Sequence, residues 1–306
     1  MNSEPSLKEV AKSFLEEHRN NPPEMLWHYT NTRGVLGILR TGKMFATHVA
    51  FLNDASEMRY ASLPLWRTLQ KVLSETQDPL DRQFLYKFGE RISNYFSGWV
   101  CVVSFSAAKN ELSQWRAYGG ESGSFSLGFT PAMLQGRCAQ QKTSGFHLYK
   151  CEYKDSVQSK LCERFVAASL EEFRKAAQTE DEASREGPRI CDEALKGFGR
   201  IAPLIKHPDF EQENEWRLVS DVLQLERRPF HLREGRASAV PYIDFSFVDD
   251  QCENTDQQSA MSSVHLMIGP PHIFSPGDPA IASLAYCSDF RLIPLIEPSL
   301  TPLRRV

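Results

Sequence analysis

The run Trp99-Val100-Cys101-Val102-Val103-Ser104-Phe105-Ser106 decides the fold class. It is continuous, apolar and β-branched, as a strand buried on both faces requires. Working outward, Ser124 to Phe129 (SFSLGF) alternates and reads as the next strand. Further strands are expected over 25–29, 44–49, 146–153, 213–222, 240–245, 264–268 and 290–293. Helical spacing separates them over about 55–75, 80–96, 111–118, 156–177 and 188–205; in the second, Phe84, Leu85, Phe88, Ile92 and Phe96 line one face. Thr32 is placed to cap a helix over 34–40, with Gly42 as its stop. The polar stretches 178–187 and 249–259 read as loops.

At the N-terminus, Leu7, Val10, Ala11, Phe14 and Leu15 form one apolar stripe, ended by Asn20-Asn21-Pro22-Pro23. The strand–helix order is irregular, so a repeating βαβ unit is not indicated. The expectation is an α+β chain with a central mixed or antiparallel sheet. An N-terminal helix occupies 1–24, and a single domain occupies 25–306, with helical insertions near 55–96 and 156–206.

Hydrophobic residues make up 41% and charged residues 24% of the 306, which provides for a sizeable core and excludes wholesale disorder. The formal net charge of −4 gives no general electrostatic footprint for nucleic acid, although a local basic groove stays open. The seven cysteines include no CxxC spacing, so a zinc ribbon or thioredoxin-type motif is not supported and reduced thiols are expected. The opening MNSEPSLKEV lacks a signal-peptide pattern and no apolar run spans a bilayer, so the expected location is cytoplasmic, with no membrane partner.

Four segments combine polar or aromatic side chains with strand ends and turns. They are Trp27-His28-Tyr29-Thr30, Phe51 to Glu57 around Asn53-Asp54, Ser104-Phe105-Ser106 with Gln114 to Gly119, and Phe210 to Val219. Each also fits a plain structural element: a packed strand, a helix cap, a turn and a solvated charged edge. In the last, a strand would set Glu213 beside Glu215 on one face and Trp216 and Leu218 on the other. Trp115, Arg116 and Tyr118, leading into glycines, suit a nucleotide cleft, since rings stack on a base and a guanidinium meets phosphate.

In this order the segments resemble an uncharacterised bacterial family, the domain of unknown function numbered 2971. The resemblance rests on His28-Tyr29-Thr30, Gly42, Asn53-Asp54 with Glu57, Ser104–Ser106, Gln114–Gly119, Gly128-Phe129, Glu213–Arg217, Val240–Tyr242 and Ile268–Pro270, and covers about residues 25–275. That family is in turn distantly similar to the ADP-ribosyltransferase superfamily. The resemblance implies a sheet of that type and an NAD-dependent mono-ADP-ribosyltransferase or NAD glycohydrolase, of a bacterial toxin or phage-defence kind.

It further implies an early residue at His28, a middle one at Ser106 or Ser104, and a late one at Glu215. NAD would be met by His28, Tyr29, Thr30, Asn53, Ser104, Trp115, Arg116, Tyr118 and Arg217. Glu215 would stabilise the oxocarbenium-like sugar formed as nicotinamide leaves, and Glu213 would activate an acceptor as general base. His28 would hold the other ribose, Trp115 or Tyr29 would stack on nicotinamide, and Arg116 would meet the pyrophosphate. No metal is required. The acceptor, protein or nucleic acid, is not implied. Two other readings stay open: a nucleic-acid-binding or nucleic-acid-modifying protein, and an inert nucleotide sensor.

Overall fold

The computed structural model describes residues 5–52, 56–94, 100–119, 123–140, 145–223, 230–235, 238–248, 264–270, 279, 283–284 and 295–299. The expected loop over 249–259, the expected strand over 290–293 and the Asn53-Asp54 turn lie outside them.

The helices are α1 (Leu7–Glu17), α2 (Thr32–Thr41), α3 (Ser56–Glu75), α4 (Pro79–Asn94), α5 (Leu112–Tyr118), α6 (Pro131–Gln140), α7 (Asp155–Ala176) and α8 (Glu180–Ile201). The strands are β1 (Leu26–Asn31), β2 (Lys43–His48), β3 (Cys101–Ser106), β4 (Ser124–Phe129), β5 (His147–Lys150), β6 (Glu215–Val219), β7 (His231–Glu234), β8 (Ala239–Ser246), β9 (His265–Ile268) and β10 (Leu295–Pro298). The chain is thus α+β, with one mixed sheet.

Several boundaries differ from the sequence reading for local reasons. Asn31, not Thr32, caps α2: its side chain accepts from the Gly34 N–H at 2.9 Å. Gly42 ends that helix at φ 62, in the left-handed region glycine adopts without strain. The polar stretch 178–187 is mostly the start of α8. Thr179 and Glu182 form a capping box, and Glu180, Asp181 and Glu182 suit the positive end of the helix dipole. Helix α6 and strand β7 were not anticipated.

β3 is the centre of the sheet, as its composition demanded. β6 pairs with it along the strand, from Val102↔Val219 to Ser106↔Glu215. β1 meets it at one end, through Trp27↔Ser106, and β2 at the other, through Thr47↔Val102 and His48↔Cys101. A strand has two edges, and β6 occupies one. β1 and β2 therefore share the second edge end to end and diverge from it. β1 leads on to β4, β9 and β10; β2 leads on to β8 and β7; β5 borders β6. All pairs are antiparallel except β9 with β10.

Strand alternation sends Cys101, Val103, Phe105, Trp216 and Leu218 to one face, where Val35, Ile38 and Leu39 of α2 and Leu134 of α6 cover them. On the opposite face, Val102, Val219 and Tyr149 pack beneath a helical layer whose core includes Phe14 of α1, Leu65 of α3, Phe88 of α4, Phe165 of α7 and Phe198 of α8. Further along that same face Trp27, Tyr29 and Met267 pack with Trp115 of α5 in a small separate core. Between these two apolar regions lie the polar side chains of Ser104, Ser106, Glu215 and Arg217, which share the face by register.

Candidate functional site

The polar strip is built by the C-terminal end of β3, the start of β6 and the turn before it. All five residues of β6 are buried, so Glu215 and Arg217 leave water together. Glu215 is 5% exposed, Arg217 3% and Lys206 3%, dry enough that each charge needs a partner. Arg217 donates to Glu215 through Nε, at 2.7 Å from Oε1, and through Nη2, at 3.0 Å from Oε2. This two-pronged geometry is the strong form of an arginine–carboxylate contact. Its Nη1 donates to the Pro203 carbonyl at 2.5 Å.

Lys206 completes the network. Its Nζ lies 2.5 Å from Glu215 Oε2 and 2.5 Å from Glu213 Oε2, and 5.2 Å over the Phe210 ring. Its main chain is clamped on both sides: the N–H donates to the Glu152 carbonyl at 3.0 Å, and its carbonyl accepts from Gln158 Nε2 at 2.8 Å. A 3-10 turn over Pro208–Glu213 and a left-handed Asn214 (φ 43, ψ 48) then fold the chain back, so that Glu213 and Glu215 both reach Lys206. The sequence reading had Glu213 inside a strand beside Glu215. In the structure β6 begins only at Glu215, and the turn, not strand alternation, brings the two carboxylates together.

Ser106 fixes this turn from the neighbouring strand. Its hydroxyl donates to the Glu213 carbonyl at 2.6 Å and accepts from the Ala108 N–H at 3.0 Å. The Ala107 N–H donates to the Asn214 carbonyl at 3.0 Å. On the β5 side, the Tyr153 hydroxyl accepts from the Glu215 N–H at 2.9 Å. Burial pushes the Tyr118 phenol up to about 12, with the negative charges of Glu215 and Glu213 adding to it. Burial also opposes ionisation of Glu215, but Arg217 and Lys206 overcome it and hold that carboxyl down at about 2.

The structure thus gathers Ser106, Glu213, Glu215 and Arg217, with Ser104 one pair along the ladder, opposite Arg217, while Tyr118 packs against the small core. The other candidates stand apart. Trp27 opposes Ser106 and Ser106 opposes Glu215, so His28, next along β1, points to the other face. Its ring lies 5.8 Å from that of Phe105, and Nδ1 donates to the Ser104 carbonyl at 2.9 Å, bridging the place where β1 leaves β3. Burial lowers its pKa, only partly offset by that bond, so the ring is neutral at pH 7 with Nε2 as the acceptor nitrogen.

Trp115 and Tyr29 belong to the small core, 4.7 Å apart edge to face. Trp115 Nε1 donates to Asn110 Oδ1 at 2.8 Å, and the Tyr29 hydroxyl donates to the Ala108 carbonyl at 2.7 Å. Both rings are buried in that core. Arg116 is exposed, and two residues apart on a helix it and Tyr118 do not face the same way. Thr30 shares the His28 face of β1, and Asn53 lies outside the described residues.

Lys206 and Tyr153 were missed. Lys206 sat in a segment read only as a helix end. The signal available was chemical: two carboxylates next to a buried strand require more cation than Arg217 alone supplies.

Among the described residues no group of three or more His, Cys, Asp or Glu is placed to hold a metal ion, and no helix is long and apolar enough to cross a membrane. Residues 114–218 match the family model described as "Protein of unknown function (DUF2971)". This stretch, which is similar to that family, includes Tyr118, Lys206, Glu213, Glu215 and Arg217 and leaves out His28 and Ser106. No curated protein and no solved structure matches the chain.

Proposed function

We propose that the protein cleaves the nicotinamide–ribose bond of NAD and passes the ADP-ribosyl group to water or to an acceptor. The observation that supports this most is the pair of carboxylates, Glu213 and Glu215, held beside Ser106 in a polar strip walled by two apolar cores. Departure of nicotinamide leaves a cationic, oxocarbenium-like sugar. Fixed negative charge aimed at that sugar, in a site screened from water, contributes on the order of 3 kcal/mol per well-placed contact. Ser106 and Lys206 hold the pair in position before substrate arrives, so reorganisation costs little in the transition state.

The reading differs from the one the resemblance implied in two respects. His28 lies on the opposite face, so it takes no part beside the carboxylates. The aromatic ring near the pair is Phe210, 5.2 Å from Lys206 Nζ, in place of Trp115 and Tyr29. NAD is a substrate here and no other cofactor is invoked.

The test is nicotinamide release from NAD by the purified protein, followed with the Glu213→Gln/Glu215→Gln double variant alongside. Release by the wild type and its loss in the double variant is the expected result. Equal release from both would remove the carboxylates from the chemistry.

A further inference from the structure

Beyond β3, the branch of the sheet formed by β2, β8 and β7 has one face that the helices leave open. Thr47 of β2 opposes Val102, which packs beneath the helical layer, so Lys43, Phe45 and Thr47 share that face. Register extends it to Tyr242 and Asp244 of β8 and to His231 and Arg233 of β7. Among the described residues, none of β7 or β8 enters the core under the helices. Ile243 and Phe245 of β8 pack on the reverse face instead.

The solvated face of an antiparallel sheet is ordinarily polar. Here it carries three rings, one on each of three neighbouring strands. Phe45 lies against Tyr242 with ring centroids 4.1 Å apart at 34°, and Tyr242 against His231 at 5.4 Å and 36°. Cross-strand ring pairs stabilise a sheet by themselves. The two outer rings nevertheless stay about half in water: Phe45 is 48% exposed and the His231 side chain 51%. β7 ends the described strand order, so His231 stands at the edge of the sheet, where a further flat ring can continue the row.

Cations flank the row. Lys43 Nζ lies 3.7 Å from Asp244 Oδ2, an oxygen that is also 3.9 Å from His231 Nε2. Arg233 Nη2 donates to Thr47 Oγ1 at 3.2 Å, and among the described residues no carboxylate pairs with its guanidinium. Exposed rings beside an uncompensated guanidinium suit a partner that is both flat and anionic. A nucleotide has both features: the base stacks on a ring, and the phosphate meets arginine. In a duplex the base faces are already stacked, so the partner is a single strand. An apolar peptide would leave Arg233 uncompensated, and a second copy of this face would set like charges together.

We infer that this face binds single-stranded nucleic acid, with bases stacked along Phe45, Tyr242 and His231 and backbone phosphates at Arg233 and Lys43. Asp244, between the cations, confines the phosphate contacts to the ends of the row. With so few cations, the binding is carried by stacking and tuned by salt. The rings lie outside the carboxylate network, so the binding is measured without NAD and stands or falls apart from NAD cleavage.

The experiment titrates labelled oligothymidine and oligouridine with the full chain, reading fluorescence anisotropy at several salt concentrations, alongside the same strands annealed to their complements. The wild type is expected to bind single strands more tightly than duplexes. Phe45→Leu keeps apolar bulk but removes the ring, and is expected to weaken binding by about tenfold. Arg233→Gln is expected to flatten the slope of log K against log salt by about 0.7, one phosphate contact on a single strand. Thermal melts establish folding, and should Phe45→Leu not fold, His231→Ala at the exposed edge takes its place with the same expected loss. Absence of binding by the wild type overturns the inference, as does equal binding by the wild type and the ring and arginine variants. A wild-type dimer in sedimentation that Phe45→Leu dissociates overturns it too, because the row then covers a second copy of the chain.

Discussion

Ser106 lies directly opposite Glu215 across the β3–β6 ladder, and its hydroxyl donates at 2.6 Å to the main-chain carbonyl of Glu213. One serine on the central strand therefore sets the turn that carries both carboxylates. Ser106→Ala leaves the Glu213 carbonyl and the Ala108 N–H without this partner in a part-buried place. The cost expected is about 1–3 kcal/mol, read as a lower midpoint in urea denaturation. A midpoint equal to that of the wild type would show that the turn is held by other contacts.

Removing Lys206 separates the network's negative charges from their shared cation. Lys206→Met is expected to destabilise by about 3–5 kcal/mol, as breaking a buried pair from one side does. Replacing Lys206 and Glu215 together by apolar residues should cost much less than the two single changes summed. A double-mutant cycle on chemical denaturation measures this, and additivity would show that the pair does not interact.

Asn214 adopts φ 43, where a β-branched side chain is strained. Asn214→Val should therefore cost on the order of 1–2 kcal/mol and misplace Glu213 and Glu215 together. Asn214→Gly should be tolerated within about 0.5 kcal/mol. Equal stabilities of the two variants would contradict the conformation.

Arg217 and Lys206 hold the folded-state Glu215 carboxyl well below its value in an unfolded chain, about 4.3, against its burial. Its pairing thus stabilises fully above the unfolded value and is lost as pH falls through the folded one. Stability of the wild type should drop between about pH 4.5 and 2 more steeply than that of Glu215→Gln. Parallel acid limbs for the two proteins in thermal melts would show that Glu215 carries no such linkage.

Much of the fold was legible because periodicity reports burial directly. The continuous apolar run at 99–106 marked the central strand, and the alternation of SFSLGF marked β4 to the residue. The stretch 178–187 misled because charge was taken for a loop, when acidic residues at a helix N-terminus are favourable. The site was legible in part. Glu213 and Glu215 were read as neighbours on one strand face, but their meeting through Lys206 depends on a left-handed residue and a 3-10 turn that no hydrophobic pattern encodes.

The grouping of His28 with Glu215 failed for a reason of parity. Strand position along the chain says which segments meet; the pairing register says which face each side chain takes, and a shift of one residue reverses it. Only Trp27↔Ser106 and Ser106↔Glu215 reveal that His28 stands on the other side.

The central claim is that this polar strip acts on NAD. Titration calorimetry of the purified protein with NAD, with nicotinamide assayed in the same sample, tests it most directly. The account predicts saturable binding at one site per chain with nicotinamide accumulating over time, and no accumulation in the Glu213→Gln/Glu215→Gln double variant. A wild-type protein that gives no heat of binding and no nicotinamide would contradict it.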